Sequence, residues 1–250
     1  MTQPLVLALE TSSLRGSIAL GRGGVPLAER VLSHERRHAA ELLPGIAELL
    51  VGAGQRPGDV GVVAFSQGPG SFTGLRIAAT IARLWRAAGG CAVVGVPSLE
   101  VIAHNALPWL REPRCCAVML DARRAQVFSA LFELRSDVPG GDGLHELSPA
   151  ALRDPDPWIR ELPPGCVVLG DAVPQHRAAL QTAGASIMPA ETWPPQARGV
   201  LARAQPRIEA GAFCQPADIV PLYLRPPECE EVYEQRRAAA KARRGGAAAG

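Results

Sequence analysis

The stretch Ser66-Gln67-Gly68-Pro69-Gly70-Ser71-Phe72-Thr73-Gly74-Leu75-Arg76-Ile77 constrains the fold more than any other part of the chain. Ahead of it, Gly61-Val62-Val63-Ala64-Phe65 is short, β-branched and nearly all apolar, which predicts a strand covered on both faces. Gly68-Pro69-Gly70 has to end that strand, because proline cannot donate to a ladder and glycine adopts backbone angles that other residues resist. Ser71 or Thr73 can cap the helix that follows by accepting from free backbone N–H groups. That helix, predicted from about Thr73 to Ala88, carries Leu75, Ile77, Ala78, Ile81, Ala82, Leu84, Trp85 and Ala88 over about half its circumference, wider than the usual apolar stripe of roughly 100°. Arg76, Thr80 and Arg83 take the opposite side. Such a helix needs cover from its own sheet and also from a second helix or another chain.

The rest of the chain reads as support for this unit. Leu5-Val6-Leu7-Ala8-Leu9-Glu10 is a buried strand ending in an acid, followed by the hydroxyl-rich turn Thr11-Ser12-Ser13. Ser17-Ile18-Ala19-Leu20 and Val25 to Leu32 follow as two more strands. An acid with Thr and Ser at a β-turn has the chemistry to cradle a phosphate or its magnesium, and the same hydroxyls also cap hairpins. Glu41 to Leu50 has apolar residues at 42, 43, 46, 49 and 50, the stripe of an amphipathic helix. Pro44 and Gly45 should weaken its first turns. With the strand and helix of the central stretch this gives a β-β-β-α-β-α order, that of a mixed sheet with helical cover, and a strand over 91–96 and a helix from Ser98 follow it.

Cys115 to Leu120, the turn Asp121-Ala122-Arg123-Arg124, and Gln126 to Phe132 then repeat strand, polar turn, strand. This echo predicts a diverged duplication, with Asp121 placed like Glu10. The stretch 136–164, rich in Pro, Gly and Asp, is expected to form surface loops. Val167 to Leu169 reads as a strand, Gln196 to Ala212 as a helix, and Pro221-Leu222-Tyr223-Leu224-Arg225 as an ordered terminal segment. The expected division is 1–106, 107–227 and an Ala/Arg-rich tail over 228–250.

With 47% hydrophobic residues the 250-residue chain can bury a sizeable core, and a net charge of +2 gives little support to a nucleic-acid-coating surface. The six cysteines, at 91, 115, 116, 166, 214 and 229, show no CxxC spacing, which argues against a zinc knuckle or a dithiol redox pair. No basic segment precedes an apolar core at the N-terminus and no apolar run reaches transmembrane length, so a cytoplasmic location is expected. His34-Glu35-Arg36-Arg37-His38 satisfies the HExxH pattern, but two arginines fill its middle and no third ligand follows at a plausible place.

Taken together, Leu7-Ala8-Leu9-Glu10-Thr11-Ser12, Leu42-Leu43-Pro44, Gly68 to Arg76, Val96-Pro97-Ser98-Leu99-Glu100, Leu120 to Arg124 and Pro221 to Arg225 resemble the TsaB family, in the family's order and over nearly the whole chain. TsaB is the partner subunit in bacterial synthesis of threonylcarbamoyladenosine on tRNA. The resemblance implies an α/β fold of two actin-like ATPase subdomains. It also implies a catalytically inert relative of TsaD, the enzyme that transfers threonylcarbamoyl to tRNA, with no cofactor of its own. TsaD and the ATPase TsaE are the implied partners, with a homodimer formed through the same surface when TsaD is absent. ATP or ADP would then belong to the assembled complex, and tRNA would be reached only through it.

The residues agree with inertness: where TsaD-like enzymes hold a metal with an HxxxH pair, only His104 stands here, and one imidazole assembles no metal site. Glu10, where aspartate is more usual, leaves a residual nucleotide site open at Glu10, Thr11, Ser12 and Asp121. The expected docking surface comprises Leu42, Leu43, Ile46, Leu49, Phe72, Leu75, Arg76, Ile77, Thr80 and Leu84, some of which must instead pack on their own sheet. Replacing Leu75 or Ile77 by Glu is expected to spare the fold and abolish pairing. Two alternatives belong to other classes: an ATP-dependent phosphotransferase using Glu10, Thr11 and Asp121, and a metalloprotease using His34 and His38.

Overall fold

In the computed structural model, which describes residues 3–33, 38–109, 114–135 and 143–225, the alternation of side chains along each strand decides which helix covers which face. The first half contains β1 (Leu5–Glu10), β2 (Ser17–Arg22), β3 (Val25–Val31), α1 (His38–Gly52), β4 (Val60–Gly68), α2 (Phe72–Gly89), β5 (Ala92–Pro97) and α3 (Ser98–His104). The second contains β6 (Arg114–Asp121), β7 (Val127–Leu134), β8 (Leu144–Arg153), α4 (Pro155–Arg160), β9 (Val167–Leu169), α5 (Val173–Thr182), β10 (Ser186–Ile187) and α6 (Ala197–Glu209). The two sheets, in the orders β3-β2-β1-β4-β5 and β8-β7-β6-β9-β10, have one topology: an antiparallel trio whose first strand continues into a parallel pair. The duplication expected from sequence is thus present strand for strand, and Glu10 and Asp121 are each the last residue of the first strand, paired with the first residue of the second.

In the first sheet the large side chains Leu5, Leu7, Leu9, Val63 and Phe65 point to one side, where α1 and α2 lie. Val6, Ala8, Ala19 and Ala64 point to the other, against α6. Small residues on both partners, including Ala197 and Ala204, bring α6 close to the sheet; bulk on the other side keeps two helices off it. In the second sheet Ala117, Met119 and Val168 meet α4 and α5. Cys116, Val118 and Phe132 meet α3.

Each half therefore borrows the last helix of the other, and the two borrowed helices meet. At their crossing Glu100 of α3, 6% exposed, accepts from Arg203 Nε at 2.6 Å and from Arg207 Nη1 at 2.9 Å and Nη2 at 2.7 Å, both arginines on α6. Ser17 Oγ accepts from Ala197 N at 2.9 Å and satisfies one free amide at the start of α6.

Two expectations need correction. The stretch 136–164 is more than surface loop: β8 and α4 occupy 144–160. β8 carries Pro149, which sequence reading takes for a breaker, but it is an edge strand with a register shift opposite Ser129 and Leu131. There the Arg153 guanidinium donates to Ser129 Oγ, Ser148 Oγ and the Pro149 carbonyl at 3.0, 2.8 and 3.0 Å, supplying donors the bulged ladder lacks. In α1, Pro44 and Gly45 lie inside an unbroken helix. Gly45 is buried, and its missing side chain leaves Ile18 and Leu32 room beside the helix, so packing outweighs propensity. The 228–250 tail lies outside the described residues, as do His34 and the side chain of His38.

Replacing Glu100 by Ala would remove the carboxylate that two half-buried guanidinium groups share at the joint between the halves. Such losses typically cost about 3–5 kcal/mol. Denaturant unfolding should show a cooperative transition at clearly lower midpoint for Glu100→Ala, and a smaller drop for Glu100→Gln.

Candidate functional site

Two places gather the residues singled out by sequence: the turn after β1, beneath the start of α2, and the outer surface of α1 and α2. The first is closed by backbone approach. Ser71 caps α2, accepting from Gly74 N at 3.3 Å, and Ser71 N itself donates to the Ser12 carbonyl at 2.7 Å. Thr11 Oγ1 donates to the Gly74 carbonyl at 2.8 Å. A Cβ on Gly70 would stand 2.3 Å from Ser12 O and one on Gly74 1.9 Å from Thr11 O, so only glycine allows the turn and the helix to touch here.

Glu10, Thr11 and Ser12 are therefore together, as expected, but sealed: Glu10 and Thr11 are 0% exposed and Ser12 6%. All their side-chain polar atoms but one are bonded within the chain, the exception being Glu10 Oε2. Glu10 Oε1 accepts from Ser12 N at 2.6 Å and Ser12 Oγ at 2.5 Å. Glu10 Oε2 is buried with no hydrogen-bond partner among the described residues, while Ser66, near the end of β4, and Ser98, the first residue of α3, bond each other at 2.8 Å. Burial pushes the Glu10 carboxyl above its ordinary range, with Ser12 and Ser66 pulling it back only in part.

Asp121, at the matching place in the second sheet, takes Arg123 N at 2.8 Å and the Arg123 guanidinium at 3.2 Å. Its own backbone N–H donates to Asp171 at 2.8 Å, and burial raises the Asp171 carboxyl. Arg123, Arg124 and Ala125 all have positive φ, 63°, 53° and 56°. Where a phosphate-binding turn would want glycine, this hairpin holds two arginines in the left-handed region.

The outer surface divides the expected docking residues. Leu42, Ile46 and Leu75 are 0, 1 and 1% exposed, the first two packed in the core with β1, β2 and β4 and the third buried beside Gly68, so they cannot meet a partner. Leu49 and Ile77 are partly buried against the same core. The expectation that Leu75→Glu spares the fold is overturned by this burial, since a charge there would have no water and no partner. Leu43, Phe72 and Leu84 are 49, 43 and 57% exposed, and Arg76 and Thr80 are exposed with them. Sequence reading missed Val51, 79% exposed, whose signal was its spacing: Leu43, Ala47 and Val51 recur every four residues on the outer side of α1.

It also missed how the terminal segment is used. After α6 the chain passes β5, where Cys214 N donates to Val93 O at 2.8 Å, and buries Ile219 in the α1/α2 core. Leu222 N then donates to Gln67 O at 2.7 Å, and Gln67 Nε2 to Val220 O at 3.1 Å. Tyr223 stands beside Phe72, ring centroids 5.3 Å apart, and its hydroxyl accepts from Arg76 Nε at 3.0 Å. Arg225 reaches the other half, donating to the Ala122 carbonyl and to Gln126 Oε1. Residues 219–225 are thus a strap from the start of α2 to the β6–β7 hairpin.

The folded chain holds the Glu10 proton more tightly than the unfolded chain. Between the unfolded and folded pKa values the native state binds the extra proton, so stability should fall as pH rises through that window and level off above it. Glu10→Gln should remove this dependence and unfold at higher denaturant than wild type above the window. Equal pH profiles for the two proteins in denaturant titrations would contradict it.

Comparison with known proteins adds a family to this geometry. The family model described as TsaD, tRNA N6-adenosine threonylcarbamoyltransferase, matches residues 27–140. The protein named tRNA threonylcarbamoyladenosine biosynthesis protein TsaB in Bacillus subtilis is 30% identical over 131 residues, covering 52% of this chain and 56% of that protein; the chain spans about half the length of this curated relative. The protein of the same name in Escherichia coli is 31% identical over 51% of this chain and 54% of its own. An uncharacterized Mycobacterium tuberculosis protein is 31% identical over 90% of this chain and 93% of its own length. Among solved structures, YeaZ from Pseudomonas aeruginosa superposes with a TM-score of 0.75 at 25% identity, over 88% of this chain and all (100%) of that one. The doubled sheet topology is accordingly that of the two-subdomain, actin-like α/β fold. By sequence over about half its length and by fold over most of it, the chain belongs to the TsaB family.

Proposed function

We propose that this protein is a non-catalytic subunit in the synthesis of threonylcarbamoyladenosine on tRNA, and that it works by docking a TsaD protein on the outer surface of α1 and α2 and activating it. The observation that carries this reading is the exposure of Leu43, Val51, Phe72 and Leu84 on two adjacent helices whose inner sides already fill the core. Isolated exposed apolar residues need no explanation, but a set repeated along two packed helices suits a partner that brings apolar surface of its own. The TsaD model match over 27–140 spans both helices, so a TsaD protein would carry counterparts of them and could form a four-helix contact. In the absence of TsaD a second copy of the chain would occupy the same surface.

Catalysis is assigned to TsaD because the acid, hydroxyls and turns that an actin-like phosphotransferase would offer a nucleotide are spent here on internal contacts. Glu10 is buried on the side of β1 away from α2, and Thr11 and Ser12 hold the turn in place. ATP or ADP would accordingly be handled by the assembled complex, with TsaE as its ATPase, and tRNA would be reached through that complex in the cytoplasm. No helix among the described residues is long and apolar enough to cross a membrane.

Reconstitution tests this directly. Purified TsaD, TsaE and tRNA with a source of threonylcarbamoyl-adenylate should form the modified nucleoside when this chain is added and much less without it. Leu84→Glu should keep the wild-type unfolding transition but weaken TsaD binding at least about tenfold, a loss of about 1.4 kcal/mol, with modification falling in parallel. Wild-type modification in the absence of the chain, or full TsaD binding by Leu84→Glu, would refute the assignment.

A further inference from the structure

The terminal strap gives the start of α2 a character the rest of that helix lacks. Arg76 lies with its Cζ 3.8 Å from the centroid of the Phe72 ring, and its Nε is taken by the Tyr223 hydroxyl at 3.0 Å. The stacking and the Nε bond fix the plane of the guanidinium and leave the Nη edge of the fork without a partner among the described residues. Arg76 and Phe72 are exposed, and Tyr223 is 37% exposed, so this ordered group faces outward. An arginine normally gives up side-chain freedom when it forms an ion pair; here much of that cost is met before any partner arrives. α2 carries Arg76, Arg83 and Arg86 and no acidic residue, so nothing on the helix itself answers this charge.

We propose that the strap is a wall of the docking surface, and that Tyr223 and Phe72 hold Arg76 as a preformed fork for a carboxylate of the docked TsaD protein. This rests on the function proposed above and names a recognition element within it. A protein carboxylate is the fitting occupant because the fork is continuous with exposed apolar residues of α1 and α2, which a protein surface would bury and a phosphate backbone would not. The strap then has two attachments with one effect. Arg225 ties it to the β6–β7 hairpin, and the close approach at Gly68, where a Cβ would stand 2.7 Å from the Leu222 carbonyl, sets Tyr223 over the start of α2.

Full-length variants titrated with TsaD at low and high salt test the proposal. Arg76→Gln and Tyr223→Ala should each weaken binding about tenfold and flatten its salt dependence. Tyr223→Phe, which keeps the ring and loses only the hydroxyl, should lose about threefold and retain most of the salt dependence. Thermal unfolding of the same samples separates these effects from loss of the fold. If Arg76→Gln and Tyr223→Phe both bind as wild type with unchanged salt dependence while Leu84→Glu fails to bind, the strap is no part of the surface although the docking reading stands. If Leu84→Glu also binds as wild type, both fall. A tRNA transcript that binds the wild-type chain and is lost by Arg76→Gln, with TsaD affinity unchanged, would overturn the carboxylate assignment in favour of a phosphate.

Discussion

The position of α2 depends on the absence of two side chains. Gly70 and Gly74 let the start of the helix settle onto the Thr11 and Ser12 carbonyls, and Thr11 and Ser71 then fasten it with side-chain and backbone hydrogen bonds. Once α2 is seated, its inner residues complete the core with β1, β4 and α1, and its outer residues have no place within the chain. A turn with the chemistry to receive a phosphate is used as a seat for a helix, and the surface that results is the one proposed to meet a partner.

The second organising feature is the exchange of helices between the halves. α3 covers the second sheet and α6 the first, so neither sheet has both faces covered by its own half. The group of buried Glu100 with half-buried Arg203 and Arg207 lies at that crossing, where a buried charge is costly unless its partners are in place. Its geometry selects one registration of α3 against α6 and so fixes one sheet relative to the other. The strap adds a second tie between the halves, from α2 to the β6–β7 hairpin. A chain braced in both places holds the outer surface of α1 and α2 in a fixed relation to the second half, which suits a part that positions another protein.

Much of this was legible in the residues. The alternation in Leu5 to Leu9 and the apolar run into Phe65 announced strands covered on both faces, and Gly68-Pro69-Gly70-Ser71 marked the change from strand to helix. The echo of Glu10 in Asp121 exposed the duplication, because strand ends keep their order even when side chains diverge. β8 was illegible because it is an edge strand: its exposed residues mix polar and apolar without alternation, its proline sits at a bulge, and the Arg153 side chain supplies donors that the ladder lacks. Leu42 and Leu43 could not be told apart from composition, since adjacent residues on a helix lie about 100° apart and only the sheet beneath decides which is inside.

The sequence by itself determined the local alphabet of this protein: which segments extend, which coil, where glycine is required, and that one half repeats the other. Those features rest on steric limits and hydrophobic period, which act over a few residues. Tertiary structure alone decided that the acid after β1 is shut away, that Leu75 is core while Leu84 is surface, and that Tyr223 stands beside Arg76, 147 positions earlier in the chain. Burial and long-range pairing are properties of the assembled layers, and no single segment carries them.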